Sequence, residues 1–207
     1  MKISIVDYGM GNLRSVQKAF TALDFETEIT SDPEKILKAD KIILPGVGAF
    51  RDAINNLNQT GLSDAVKEAA KKGTNILGIC LGMQLMFDKS YENGEFIGLG
   101  LMPGEIVKFR EDLADQTGRL KIPHMGWNNL EIEKTAPLFE DLKQGSSVYF
   151  VHSYYLQTDA DIVSSYVTYG DRIAVSAQKG NVYATQFHPE KSGEIGLKIL
   201  KNFGGLK

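Results

Sequence analysis

Asn75-Ile76-Leu77-Gly78-Ile79-Cys80-Leu81-Gly82-Met83-Gln84-Leu85-Met86-Phe87 reads as a buried strand, a sharp turn and a helix, with the only cysteine of the chain at the turn. A Gly-x-nucleophile-x-Gly turn needs small flanks, because its central residue is strained and bulky neighbours would block access. The pattern projects the thiol beyond the sheet edge, and the N–H groups opening the helix face the sulfur and favour thiolate. With 21 glycines in 207 residues, two glycines flanking a lone cysteine in this way arise by chance roughly once in a hundred. The strand–turn–helix context separates Cys80 from an ordinary small core residue.

Strand–loop–helix units recur on the amino-terminal side. Residues 2–6 read as a short buried strand, 8–12 as a turn, and Leu13, Val16, Ala19, Phe20 and Leu23 as one helix face. Further strands are expected at 25–29 and 41–44, the latter ending at Pro45-Gly46-Val47-Gly48, with helices around 50–58 and 61–72. Strands alternating with helices imply a parallel sheet covered on both faces, with ligands at the carboxyl ends of its strands, where Gly46-Val47-Gly48 and Cys80 fall.

After Phe87 come short strands punctuated by glycine, expected at 104–109, 127–132, 147–151, 162–168, 173–177 and 182–187 and mostly antiparallel, with a hairpin turn at Lys179-Gly180-Asn181. A helix over 193–203 follows, and 111–118 reads as a polar loop. The expected fold is α/β, a three-layer arrangement with a mainly parallel central sheet flanked by helices and additional antiparallel strands in the C-terminal half. Residues 1–207 are expected to form a single domain.

Composition narrows the partners. With 43% hydrophobic residues the chain can bury a sizeable core, while a formal net charge of −3 and the absence of a Lys/Arg run argue against nucleic acid. One cysteine permits no internal disulfide, and three scattered histidines give no metal signature. The amino-terminal apolar stretch stops at Asp7, too early for a signal peptide or membrane span, so a cytoplasmic location is expected.

A cysteine nucleophile needs a base, and the base an orienting acid. In His188-Pro189-Glu190, residues two apart on an extended segment share a face, and Pro189 biases His188 towards that geometry, so Glu190 can reach its ring. His188 would take the Cys80 proton and later deliver it to a leaving amine. His152 ends another strand with no acid two residues away, and His124 is expected in a turn, structural or interfacial. An oxyanion needs donors whose individual loss typically lowers turnover by ~10² to 10³. The N–H of Leu81 is one, and Val47 or Gly48 is the candidate for the second.

Taken together, the Pro45–Gly48 loop, the Cys80 elbow with Gln84, and His188-Pro189-Glu190 resemble the triad (class I) glutamine amidotransferase family across nearly the whole chain. Asp7-Tyr8-Gly9-Met10-Gly11-Asn12-Leu13, Pro123-His124-Met125-Gly126-Trp127-Asn128 and Tyr149-Phe150-Val151-His152-Ser153-Tyr154 narrow the resemblance to members serving histidine biosynthesis. The resemblance implies hydrolysis of glutamine to glutamate and ammonia through a Cys80 thioester, with His188 and Glu190 completing the triad and no cofactor or metal. Gln84 matches the family's substrate-binding glutamine, and Gly48, Ser153 and Tyr154 match segments that grip the amino-acid end.

The partner that the resemblance implies is a (β/α)8-barrel cyclase subunit. It would receive ammonia and form imidazole glycerol phosphate and an aminoimidazole carboxamide ribotide. Such a barrel typically needs ~250 residues, so it is expected on a second polypeptide. Asn12, Trp127, Tyr149 and Lys191 match positions of subunit contact and coupling.

Many relatives have Gly-Gly where this chain has Gly46-Val47, and a β-branched residue resists positive φ, so the oxyanion hole is expected to form only when a partner binds. Three other readings compete. The Gly-Gly-Glu-Ser loop of the glutaminase feeding pyridoxal phosphate synthesis is absent. A thiol peptidase or γ-glutamyl hydrolase would need no partner, and a noncatalytic scaffold would not need Cys80. Arg14 stands where a dinucleotide-binding Gly-x-Gly-x-x-Gly pattern from Gly9 would require glycine.

Overall fold

Apolar runs alternating with amphipathic segments build the first half as β1 (Lys2–Val6), α1 (Leu13–Thr21), β2 (Glu26–Thr30), α2 (Pro33–Leu37), β3 (Lys41–Gly46), α3 (Phe50–Gln59), α4 (Leu62–Lys71), β4 (Asn75–Cys80) and α5 (Leu81–Leu85). The computed structural model describes residues 2–116 and 118–207. Met1 of the amino-terminal stretch and Thr117 of the expected polar loop lie outside the described residues. The second half contributes β5 (Lys89–Ser90), β6 (Phe96–Ile97), β7 (Glu105–Lys108), β8 (Ala114–Asp115), β9 (Gly118–Arg119), β10 (His124–Asn129), β11 (Glu131–Ile132), β12 (Ser147–His152), β13 (Tyr154–Gln157), β14 (Val163–Tyr169), β15 (Asp171–Lys179), β16 (Val182–Thr185) and α6 (Gly193–Gly205).

The main sheet runs β2-β1-β3-β4-β16-β15-β13-β7-β5-β6, with β14 added on β15 and β11 on β14. Its first five strands are parallel, because β16 returns from the carboxyl-terminal half to lie parallel to β4. β10 and β12 form a separate antiparallel ribbon. Alternation along the strands feeds two cores: Ile42 and Leu44 pack with α3 and α4 on one face, while Ile43 packs with α1 and α6 on the other.

Several details depart from the sequence-based expectation. The helix after the elbow stops at Leu85 rather than running on to Phe87. The strand expected at 127–132 begins at His124 and breaks at buried Leu130 into β10 and β11, which join different sheets. His124 therefore sits in a strand and not in a turn. The short elements α2 and β13 were not anticipated, and the loop at 111–118 includes the β8 strand and the start of β9. β16 pairs antiparallel with β15 through the expected hairpin but lies parallel to β4 on its other edge. Among the described residues no helix is long and apolar enough to cross a membrane.

α1 begins at Asn12, whose side chain accepts from the N–H of Ser15, and buries Val16, Ala19 and Phe20 at helical spacing. α6 ends on a buried cation. Lys41 of β3, 1% exposed, donates from Nζ to the carbonyls of Gly204 (2.8 Å) and Leu206, satisfying acceptors the helix leaves unpaired.

The elbow is fitted to the sheet at Gly82. A Cβ there would stand 1.7 Å from the Leu44 carbonyl oxygen, and one at Gly78 would meet the Gly82 carbonyl at 2.8 Å. Both glycines are required by the close approach of α5 to β3 and β4. Gly82→Ala is expected to cost at least ~1–3 kcal/mol through overpacking against backbone. An unchanged urea midpoint would show that the elbow yields without cost.

Candidate active site

Strand register brings the candidate residues together. Gly46 of β3 pairs with Cys80 of β4, so Val47 and Gly48 leave the sheet beside the thiol. On the other side Thr185 of β16 pairs with Ile79, and the chain continues through Gln186 to His188. Three adjacent carboxyl ends thus converge on a cavity of about 300 Å³, lined by Cys80, Leu81, Val47, Gly48 and His188 and by Gln84, Ser153 and Tyr154 from the predicted substrate set.

Cys80 takes φ 56°, ψ −112°, a conformation that costs a non-glycine residue ~1–3 kcal/mol and that the surrounding elbow must hold in place. It is only 8% exposed, so the sulfur sits in the cavity wall instead of projecting to solvent as expected. Sγ lies 3.8 Å from Gln186 Nε2 and 4.0 Å from the Val151 carbonyl. Leu81 is the first residue of α5, so its N–H has no acceptor within the helix. Val47 keeps a negative φ while Gly48 takes +103°.

His188 Nδ1 lies 2.8 Å from Glu190 Oε1, with both side chains 2% exposed. The reason for this contact differs from the expected one: Pro189–Lys191 forms a 3₁₀ turn, and that turn, not an extended segment, swings Glu190 back under the ring. Burial alone would push His188 down, but Cys80 and Glu190 outweigh it and raise the ring to about 9. Nε2 is buried without an aligned hydrogen bond, and so is Glu190 Oε2. The thiol is therefore close enough to raise the ring.

Residues that sequence reading missed hold this arrangement. Ser192 Oγ donates to the His188 carbonyl (2.6 Å) and accepts from the Tyr149 N–H (3.0 Å), while the His188 N–H donates to the Tyr149 carbonyl (3.0 Å). Gln186, fully buried, accepts from Gln84 Nε2 at 3.0 Å, and the Tyr154 carbonyl accepts from the same nitrogen at 3.3 Å. Both amide protons of Gln84 are thereby used, which leaves its carbonyl oxygen for a ligand. Glu92 lines the cavity and accepts from the Phe50 N–H at 2.7 Å, capping α3 just after Gly48. Tyr8 donates to the Pro45 carbonyl at 2.7 Å, and burial, then Cys80, pushes its phenol up. Gln186 had a readable signal, two residues before His188 and just past the end of β16. A lone carboxylate in the Tyr91–Gly94 turn had none.

The predicted contact residues divide into two groups. Asn12 lines a small crevice with Gly46, Val47, His188 and Glu190, and Lys191 is exposed on the turn that carries Glu190. Trp127 and Tyr149 pair across the ribbon, their rings 6.1 Å apart and edge to face. The backbone of Tyr149 joins the groups through its bonds to His188 and Ser192. The remaining histidines are buried and held neutral: burial pushes His124 down to about 4, and burial, with the His124 and His188 rings adding, takes His152 to about 3.

A strained thiol at the carboxyl end of a parallel strand, with a buried His–Glu pair at the neighbouring strand end, is the arrangement a cysteine nucleophile with an oriented base requires. Residues 4–204 match the class-I glutamine amidotransferase family, and the chain belongs to that family. It is 49% identical to the imidazole glycerol phosphate synthase subunit HisH of Geobacter sulfurreducens over 100% of this chain and 99% of that one. The HisH subunit of Carboxydothermus hydrogenoformans is 53% identical over 96% of each chain. Among solved structures, PurLQS from Thermotoga maritima shares the fold, with a TM-score of 0.73, 21% identity, and coverage of 98% of this chain and 96% of that one.

The charge environment of His188 gives a direct test. Glu190 and Cys80 each raise the ring, so removing either must lower its titration midpoint. In an NMR pH titration the midpoint is expected near 9 in the parent chain and lower in both Glu190→Gln and Cys80→Ala. A midpoint that stayed put in both variants would refute this account of the pair.

Proposed function

We propose that this chain is the glutaminase subunit of an imidazole glycerol phosphate synthase, supplying ammonia to a separate (β/α)8-barrel cyclase in histidine biosynthesis. The observation that carries the reading is the buried His188–Glu190 pair beside Cys80 in one cavity, within a chain about half identical to HisH subunits along its full length. Residues 1–207 act as one amidotransferase domain.

Cys80 Sγ, having passed its proton to His188 Nε2, attacks the side-chain carbonyl carbon of glutamine. The oxyanion is held by the Leu81 N–H and by an N–H from the Val47–Gly48 segment. Collapse expels ammonia with the proton returned by His188, leaving a γ-glutamyl thioester. Water then attacks, His188 removes its proton, and glutamate leaves as the thiol is restored. Glu190 orients the ring throughout. Gln84 offers its carbonyl oxygen, Ser153 and Tyr154 hold the amino-acid end, and the Glu92 carboxylate suits the substrate's ammonium group.

The resting geometry supports a subunit that needs its partner. His188 Nε2 lacks an aligned hydrogen bond, and Val47 keeps negative φ. A peptide flip at Val47 completes the oxyanion hole on assembly. Apolar exposure beside the cavity suits a docking surface: Trp127 is 58% exposed, and 61% exposed Met125 lies opposite cavity-lining Val151. Asn12, Trp127, Tyr149 and Lys191 take part in this contact.

Ammonia-linked assays of the chain and Cys80→Ala, each alone and with the cyclase and its nucleotide ligand, test the reading. Activity is expected to rise ~10² to 10³-fold in the complex, the scale of one oxyanion donor, and to vanish in the variant. No Cys80-dependent ammonia from the complex would sink the assignment. Turnover by the isolated chain as fast as by the complex would remove the gated oxyanion hole. Lys191→Glu is expected to reduce activation severalfold at unchanged fold stability; full activation would take Lys191 out of the coupling surface.

A further inference from the structure

His124 and His152 play no part in the chemistry above, yet they form a continuous hydrogen-bonded chain that runs from His152, which lines the cavity, to His124 behind it. His152 Nδ1 is 2.9 Å from the Tyr154 carbonyl, and His124 Nδ1 is 3.0 Å from His152 Nε2. Asn128 Nδ2 lies 3.4 Å from His124 Nε2 and donates to the Thr168 carbonyl at 3.0 Å.

The proton order along this chain is set independently from both ends. A carbonyl only accepts, so His152 must carry its proton on Nδ1, and its Nε2 must accept from His124. At the other end, Asn128 Oδ1 already accepts from the Asn129 N–H at 2.8 Å, so its amide faces His124 and makes Nε2 of that ring an acceptor. Both arguments give His124 a single proton, on Nδ1. Each ring then uses one nitrogen to donate and the other to accept, with no room for a second proton. Stacking fixes the first ring: His124 lies between Phe150 (4.8 Å) and Tyr169 (4.0 Å).

The chain begins and ends at functionally different places. His124 and Asn128 belong to β10, whose alternate residues Met125 and Trp127 form the exposed apolar face. The Tyr154 carbonyl also accepts from Gln84, in the wall of the cavity. A displacement of β10 therefore reaches that carbonyl through two rings that make no hydrogen bond to Cys80 or His188.

We propose that His124 and His152 are positioning residues: a proton-ordered relay that sets the Tyr154 carbonyl against the Gln84 amide, so that glutamine affinity depends on how β10 is seated. The proposal rests on the glutaminase reading for its functional half. The geometry assigns binding, rather than the chemical step, as the process the relay controls.

Two measurements test it. Multiple-bond ¹H–¹⁵N spectra of the full chain at neutral pH are expected to show both rings neutral with the proton on Nδ1; an Nε2 proton on either ring overturns the relay whatever the activity. In the assembled complex, His124→Leu is expected to raise KM for glutamine ~10-fold with kcat within about threefold, the scale of one lost buried hydrogen bond. His124→Asn, whose amide can donate from the position of Nδ1, should recover KM to within about threefold of the parent. Equal impairment of the two variants, an unchanged KM in His124→Leu, or a loss confined to kcat would overturn the relay while the parent complex stays active. Absence of ammonia from the parent complex would overturn the glutaminase reading itself. Should the leucine variant fail to fold, the ring protonation of the parent and the KM of His124→Asn still decide.

Discussion

The parallel pairing of β16 with β4 is the constraint on which the rest depends. β16 begins about a hundred residues after β4 ends, and it enters the sheet between the nucleophile strand and the antiparallel half. Without that pairing Cys80 would have an elbow but no base, because only the register Thr185 opposite Ile79 carries the chain on to His188 at the same edge. The Cys80 strain is tolerable for the same reason. The turn is held on one side by the close approach of Gly82 to Leu44 and on the other by β16, so the backbone has no relaxed alternative nearby.

A second dependence runs through the β10–β12 ribbon. It carries the exposed apolar face, yet it is bonded to the base through Tyr149 and Ser192 and to the substrate wall through the histidine pair. A partner pressing on this ribbon would act on both halves of the site at once. The unaligned Nε2 of His188 and the resting conformation of Val47 fit a centre whose parts are collected by folding but brought to register by docking.

Much of this was legible in the chain. The alternation of strands and helices up to Cys80, the Gly-flanked elbow, the hairpin turn in the segment Lys179-Gly180-Asn181 and the His188–Glu190 pairing all follow from local patterns, and all appear. What escaped reading depends on contacts between distant segments. Gln84 meets Gln186 across 102 positions, and nothing in either neighbourhood announces the other. His124 looked like part of a turn because Pro123 and Gly126 flank it, whereas its strand character comes from pairing with His152. Glu190 reached its target by a different route from the one inferred, since a 3₁₀ turn and an extended segment can deliver the same contact. The five-residue α2 and four-residue β13 were too short for periodicity to reveal.

The burial of His124 and His152 has a consequence for anyone observing this protein in solution. The chain contains three histidines, and two are locked neutral, one near 4 and the other near 3. Across the range in which imidazole ordinarily changes charge, their resonances should be stationary, and the ring beside the thiol, raised to about 9, moves alone at higher pH. The molecule thus carries its own background-free reporter, able to follow substrate arrival or subunit engagement without a label.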